Sequence, residues 1–161
     1  MSASSNDSRR HGNHPTAGFR FKEHEHEKES LEKAAELVER TAKAELGHYQ
    51  DAAAPFGAWP ELADRTQDDR AKQGFAPNDP GLRTGEMRES IGHAVGDKEA
   101  VVGSNDDNMV YFELGTAKQP PRSVLGMALA RKAPEVARIL GQGAVAALVG
   151  KGVFLGRMPI D

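Results

Sequence analysis

The stretch from His24 to about Tyr49 leaves the chain least freedom. Leu31, Ala34, Ala35, Val38, Ala42 and Leu46 recur there at spacings of three and four, while Glu29, Glu32, Lys33, Glu36, Glu39, Arg40 and Lys43 fill the other positions. That period is helical and gathers the apolar side chains into one stripe. The stripe is narrow and rich in alanine, so it has to lie close against another element to be covered. Glu36–Arg40 and Glu39–Lys43 are favourable i,i+4 pairs, each worth a few tenths of a kcal/mol, and Glu32–Glu36 opposes them. Gly47 ends or bends this helix, and Pro55 stops it.

The flanking segments are of a different kind. Residues 1–18 are rich in Ser, Asn, Arg, His and Gly, too polar to offset the entropy of ordering, and are expected to form a flexible N-terminal arm. Phe19-Arg20-Phe21-Lys22 alternates apolar and charged, as a short strand does, although its phenylalanines would also staple the start of a helix. In 51–81, Phe56 and Trp59 anchor a loop. Pro60 suits the first position of a helix over the following dozen residues, with Leu62, Thr66 and Ala71 inward and Gly74 closing it.

The stretch from Leu82 to Leu129 carries the most specific punctuation. Thr84 is expected to cap a single helical turn through Gly85, Glu86 and Met87. Ser90–Val95, Ala100–Ser104 and Met109–Leu114 read as three strands joined by hairpin-length loops. Gly115 and Pro120-Pro121 make a rigid corner, and Pro121-Arg122-Ser123 opens a last helix. Its apolar face is Val124, Leu125, Ala128, Leu129, Val136, Ile139 and Leu140, with Pro134 inside the pattern. Residues 19–141 thus read as one α+β domain, a long N-terminal helix and a C-terminal helix packed on a small antiparallel sheet of three to four strands. Residues 142–161 carry Val153, Phe154, Leu155, Met158 and Ile160. That is too apolar for a disordered tail, and they are expected to form an interface arm.

Composition narrows the function classes. The 161 residues suffice for one domain, and the hydrophobic share of 38% is low enough to suggest flexible parts, or surfaces covered by neighbouring subunits. A net charge of −3 gives no support for nucleic-acid binding. The chain has no cysteine, which excludes disulfides and cysteine-held metals. Its longest uncharged apolar run, Ala144–Val149, falls far short of the ~20 residues that span a bilayer.

No stretch assembles a convincing reactive site. His24-Glu25-His26-Glu27 lacks the i,i+4 spacing of helical zinc ligands and reads as a solvated helix start. Gly141–Gly152 fails the phosphate-loop pattern at Val145 and Gly152. Ser90, His93 and Asp97 lack the strand–turn–helix context of a nucleophile. Asp68-Asp69, Asp106-Asp107, Glu86 and Glu89 read as solvated carboxylates. Glu113 differs: set between Phe112 and Leu114, it reads as a buried partner of Arg83, Arg88 or Arg122, or as an edge-strand gatekeeper. Trp59 reads as a core or loop-pinning residue or an interface anchor.

Four blocks taken in order carry a resemblance. Leu82-Arg-Thr-Gly-Glu-Met-Arg-Glu-Ser-Ile91 resembles the L-x-T-G-x-L-x-x-S-I block of the tail-completion and head–tail joining (neck) proteins of long-tailed bacteriophages. Val102-Gly-Ser-Asn105 resembles the V-G-S-N that follows in that family. Tyr111-Phe-Glu-Leu-Gly-Thr116, then Gln119-Pro-Pro-Arg122 and Ala128-Leu129, is similar to its Y-x-E-x-G-T … P-x-R-x-F-L-x-x-A-L block. Trp59-Pro-Glu-Leu62, Thr66 and Arg70-Ala-Lys-Gln-Gly74 resemble an insert in some members. Coverage runs from about Leu31 to Leu140. Ser123-Val124 stands where Pro-Phe is usual, and Gly126 where Arg is common.

The resemblance implies a structural virion protein rather than an enzyme, with no cofactor and no metal. It implies a ring homo-oligomer, a hexamer or a multiple of it, at the head–tail junction, made in the host bacterial cytoplasm. Partners would be adjacent copies and the stopper, terminator and tail-tube proteins, with DNA only as passing cargo. Thr84, Gly85, Tyr111, Glu113, Gly115, Pro120, Pro121, Arg122, Trp59 and Phe154 are then structural or interface candidates. The competing readings are a small nucleic-acid-binding module and a metal-dependent hydrolase.

Overall fold

The computed structural model describes residues 16–141, with side chains from residue 28 onward. The arms expected over 1–18 and 142–161, with Phe154, lie wholly or largely outside these residues. In chain order the elements are α1 (Thr16–Glu45), α2 (Asp64–Lys72), α3 (Glu86–Glu89), β1 (Ile91–Val95), β2 (Ala100–Ser104), α4 (Asp107–Leu114) and α5 (Leu125–Leu140). The fold is α+β, with helices packed on a small antiparallel sheet that has two strands among the described residues.

The first helix is the hub. It packs along α5 and across both strands. Ala34, Ala35, Leu37, Val38, Ala42 and Leu46 are buried, so the covered arc is wider than the sequence stripe by Leu37. Gly47 follows at φ +94°, where a side chain would be strained and a Cβ would meet Leu82 at 2.9 Å. Phe19–Lys22 belongs to α1 rather than to a strand. Val124, Leu125, Met127, Ala128 and Val136 of the last helix complete the core with Trp59, Ile91, Met109 and Phe112. Pro134 is exposed, and α5 continues past it.

Two expected elements are corrected. Met109–Leu114 is not a third strand but most of α4. Asp106 caps it, its side chain accepting the Asn108 N–H at 2.9 Å. The buried residues Met109, Phe112 and Glu113 stand three and four apart, a helical period. Second, α2 begins at Asp64 rather than just after Pro60. Thr66 and Ala71 face solvent and Leu62 is half-buried, while the inward residue is Arg70.

In the hairpin Ile91 pairs with Ser104, His93 with Val102 and Val95 with Ala100. Strand alternation puts these on the face against α1 and leaves Gly92, Ala94, Val101 and Gly103 on the other, which carries no polar side chain. His93 joins sheet to helix. Its Nε2 lies 2.9 Å from a Glu32 carboxylate oxygen, and its Nδ1 meets Glu39. The hydrogen bonds to Glu32 and Glu39 raise its pKa against a smaller opposing effect of burial. Burial alone would raise the Glu39 carboxyl, but Lys43 and His93 together hold it below its usual value.

Glu45, the last residue of α1, is 4% exposed and pairs with Arg131 at 3.1 Å. Desolvation pushes its pKa up to about 7, Arg131 offsets part of this, and Glu113 adds to it. Its Oε2 is buried without a hydrogen-bond partner.

Both shifts act in one direction. A carboxyl raised from 4.5 to about 7 binds its proton more tightly when folded, so its contribution fades as pH rises across that interval. His93, raised above 6.5, contributes fully below that value and loses its contribution as pH climbs through the folded pKa. Denaturant midpoints are therefore expected to fall as pH is raised from about 5 to 8. His93→Gln should remove the upper part of this slope and Glu45→Gln the lower part; a flat wild-type profile refutes it.

Candidate interaction site at the corner between α4 and α5

The corner is built around Glu113. Its side chain rises from α4 into the start of α5 and is 5% exposed. One oxygen accepts the Ser123 hydroxyl at 2.6 Å and the Gly126 N–H at 3.0 Å. The other accepts the N–H groups of Val124 at 2.5 Å and Leu125 at 3.0 Å. The first amides of a helix have no intrahelical acceptor and sit at its positive end. A carboxylate from a neighbouring helix therefore serves as the cap that α5 lacks in its own sequence. The expected ion pair with Arg83, Arg88 or Arg122 is not formed; backbone N–H groups hold the charge instead.

The chain between the helices is fixed by glycine and proline. Gly115 has φ +72°, and a Cβ there would stand 2.7 Å from both the Gln119 carbonyl oxygen and the Pro121 nitrogen. Thr116 and Gln119 form an isolated bridge, the Thr116 N–H donating to Gln119 O at 2.8 Å. Pro120 and Pro121 are exposed. The Arg122 N–H then donates to the Phe112 carbonyl at 2.8 Å, closing the return onto α4.

Arg122 is the second tie. Only 3% exposed, it donates from Nε to Pro60 O at 2.9 Å and from Nη2 to Glu61 O at 2.8 Å. Its guanidinium stands 5.8 Å from the centre of the Phe112 ring. Trp59 meets the same ring edge-on at 5.4 Å and donates from Nε1 to Ser123 O at 3.0 Å. Trp59 is thus a core residue, pinning the loop before α2 to the corner.

Thr84 and Gly85 lie nearby. Gly85, at φ +92°, occupies the cap position of α3, and Thr84 Oγ1 receives the Glu86 N–H at 3.4 Å. Thr84 is therefore one residue further out than expected, though it still serves a free amide.

Two hollows flank the corner. The larger, about 710 Å³, is lined among others by Arg70, Arg122, Lys118, Met87 and Tyr111. The smaller, about 590 Å³, is lined by Phe56, Leu114, Pro121 and Ser123 among others. Tyr111 and Leu114 are 55% and 61% exposed and, with Val110, form an apolar ridge on the solvent side of α4.

The polar residues set aside as a reactive set are employed structurally. The Ser90 hydroxyl lies 2.6 Å from that of Ser104, and His93 is held by α1 rather than by Ser90 or Asp97. Asp69 pairs with Arg83 at 2.9 Å. No three metal-ligating side chains gather among the described residues, and the side chains of His24–Glu27 lie outside them.

Sequence reasoning missed the roles of Arg70, Ser123 and Gly126, and of the ridge it singled out only Tyr111. The signal for the ridge was the helical spacing of Met109, Phe112 and Glu113 after an Asp cap. No comparable signal marks Arg70. Comparison with protein-family models, curated proteins and solved structures finds no match.

Glu113→Ala would strip one hydroxyl and three amides of their acceptor, and is expected to cost at least about 3 kcal/mol in denaturant unfolding. Glu113→Gln, which keeps one carbonyl oxygen, should lose less. Gly126→Ala would drive a methyl to 2.4 Å from Phe56 Cζ and 2.7 Å from Ser123 Oγ. Its expected cost is about 1–3 kcal/mol, relieved in part by Phe56→Leu in a double-mutant cycle.

Proposed function

We propose that this chain is a structural subunit of a bacteriophage neck, forming a ring that completes the tail and joins it to the DNA-filled head. The observation that carries this reading is the apolar ridge Val110–Tyr111–Leu114 on a rigidly braced corner. Exposed apolar side chains beside hollows suit a surface that a second subunit covers. The four sequence blocks that resemble neck proteins converge on this corner and the hairpin before it. Most polar groups around it are spent on holding shape, which suits a scaffold.

In a ring the two sides of each interface differ, and closure by rotation satisfies both. The ridge would be one side. The uncharged outer face of the hairpin would lie in or near the other, and strands supplied by neighbours would bring the sheet to three or four strands. The terminal arms would reach adjacent subunits or the neighbouring stopper, terminator and tail-tube proteins. The assembly would be a hexamer or a multiple of it, located in the virion. No helix among the described residues is long and apolar enough to cross a membrane.

Light scattering on purified protein and on rings recovered from particles should give a sixfold mass. Leu114→Asp should shift it toward monomer while leaving the circular dichroism spectrum unchanged. Particles lacking this protein should separate into full heads and free tails by electron microscopy. Intact particles without it, or monomers alone even in material from particles, would sink the proposal.

A further inference from the structure

Arg70 and Arg122 present a charge problem. They are 5% and 3% exposed and lie just beneath the surface. A covered cation is costly unless a counter-charge meets it. Among the described residues, neither reaches a carboxylate at ion-pair distance. Arg70 gives Nε to Ala76 O, and Nη2 to Asp79 O and Leu82 O. Arg122 gives Nε and Nη2 to the carbonyls of Pro60 and Glu61. Neither Nη1 has a hydrogen-bond partner among these residues, and neither is fully buried.

Burial lowers the pKa of both. Arg83 adds to this at Arg70, while Asp79 and Tyr49 oppose it; at Arg122 only Tyr49 opposes. Both arginines line the 710 Å³ hollow.

We propose that this hollow binds carboxylate groups, which complete the hydrogen bonding of Arg70 and Arg122. Guanidinium forks match carboxylate geometry. The walls favour a carboxylate on an apolar stem over a phosphate. Leu62, Met87 and Phe112 offer apolar surface, while Glu61, Glu86 and Asp106 on the lining would repel charge crowded on one phosphate head more than carboxylates held apart on a stem. The carboxylates come either from a free organic acid or from Asp and Glu side chains of a second copy. The site does not rest on the neck reading, because its charge imbalance belongs to the single chain.

The test is a titration of the full-length protein, followed through the side-chain ¹⁵N signals of its arginines. Glutarate is the probe, glutaramide its neutral twin, and inorganic phosphate the competing anion at equal ionic strength. Glutarate should shift the Arg70 and Arg122 signals saturably, with a midpoint on the order of 1 mM. Arg138, exposed, beside Glu135 and off the lining of the hollow, should stay in place. Arg122→Lys, which keeps the charge but loses the fork, should weaken binding by about tenfold or more.

Protein concentration separates the two sources. If a second copy supplies the carboxylates, the two signals start shifted in concentrated protein, relax on dilution, and glutarate lowers the mass seen by light scattering. If the ligand is a free acid, glutarate binds equally at every protein concentration. Equal shifts with glutaramide or phosphate, a parallel shift of Arg138, or no response to glutarate or dilution would overturn the proposal. A failure of ring assembly would leave the titration unchanged.

Discussion

The Glu113 carboxylate seated in the first turn of α5 is the interaction on which the rest of the corner depends. A negative group at a helix N-terminus gains from the macrodipole, by up to about 2 kcal/mol where it is partly buried. Here it also satisfies three main-chain amides and one hydroxyl. That single side chain fixes the angle between α4 and α5. With α5 set, Val124, Met127 and Ala128 reach the core, and the ridge on the far side of α4 takes its direction.

The surrounding contacts make sense as consequences of that placement. Chain leaving α4 must turn at once to bring residue 123 back to residue 113. Gly115 and the two prolines make the turn, and the Arg122 N–H locks it to Phe112. The loop before α2 is then drawn in by Arg122 and Trp59. Arg70 gathers the carbonyls of residues 76, 79 and 82 in the same manner. The α1 helix supplies the surface against which all of this packs, and along its C-terminal half Glu32, Glu39 and Glu45 hold the sheet and α5 through His93 and Arg131.

Much of the frame was legible in the residues. The α1 stripe, the hairpin, the corner at Gly115 and the apolar face of α5 all follow from period and punctuation, which are local signals. Met109–Leu114 misleads because its run of bulky apolar side chains imitates a strand over six residues, while the Asp106 cap and the three–four spacing speak for a helix. Glu113 was recognised as unusual, but its partners were sought among cations. Main-chain amides bear no mark in a sequence, so a carboxylate that binds them looks unpaired. Arg70 was invisible for the same reason: its acceptors are carbonyls of any residue type. Gly126 became intelligible only once Phe56, seventy residues earlier, was found in the space its side chain would need.

An anchor that grips only main chain is indifferent to the letters it holds. Arg122 would bind the carbonyls at positions 60 and 61 whatever side chains stood there, and Arg70 those at 76, 79 and 82, so long as the loops kept their course. The surface of these segments is free to drift in composition while their path stays put. On a surface that contacts a partner, this separates two kinds of change. New contact chemistry can be tried on the loops without loosening the frame beneath them.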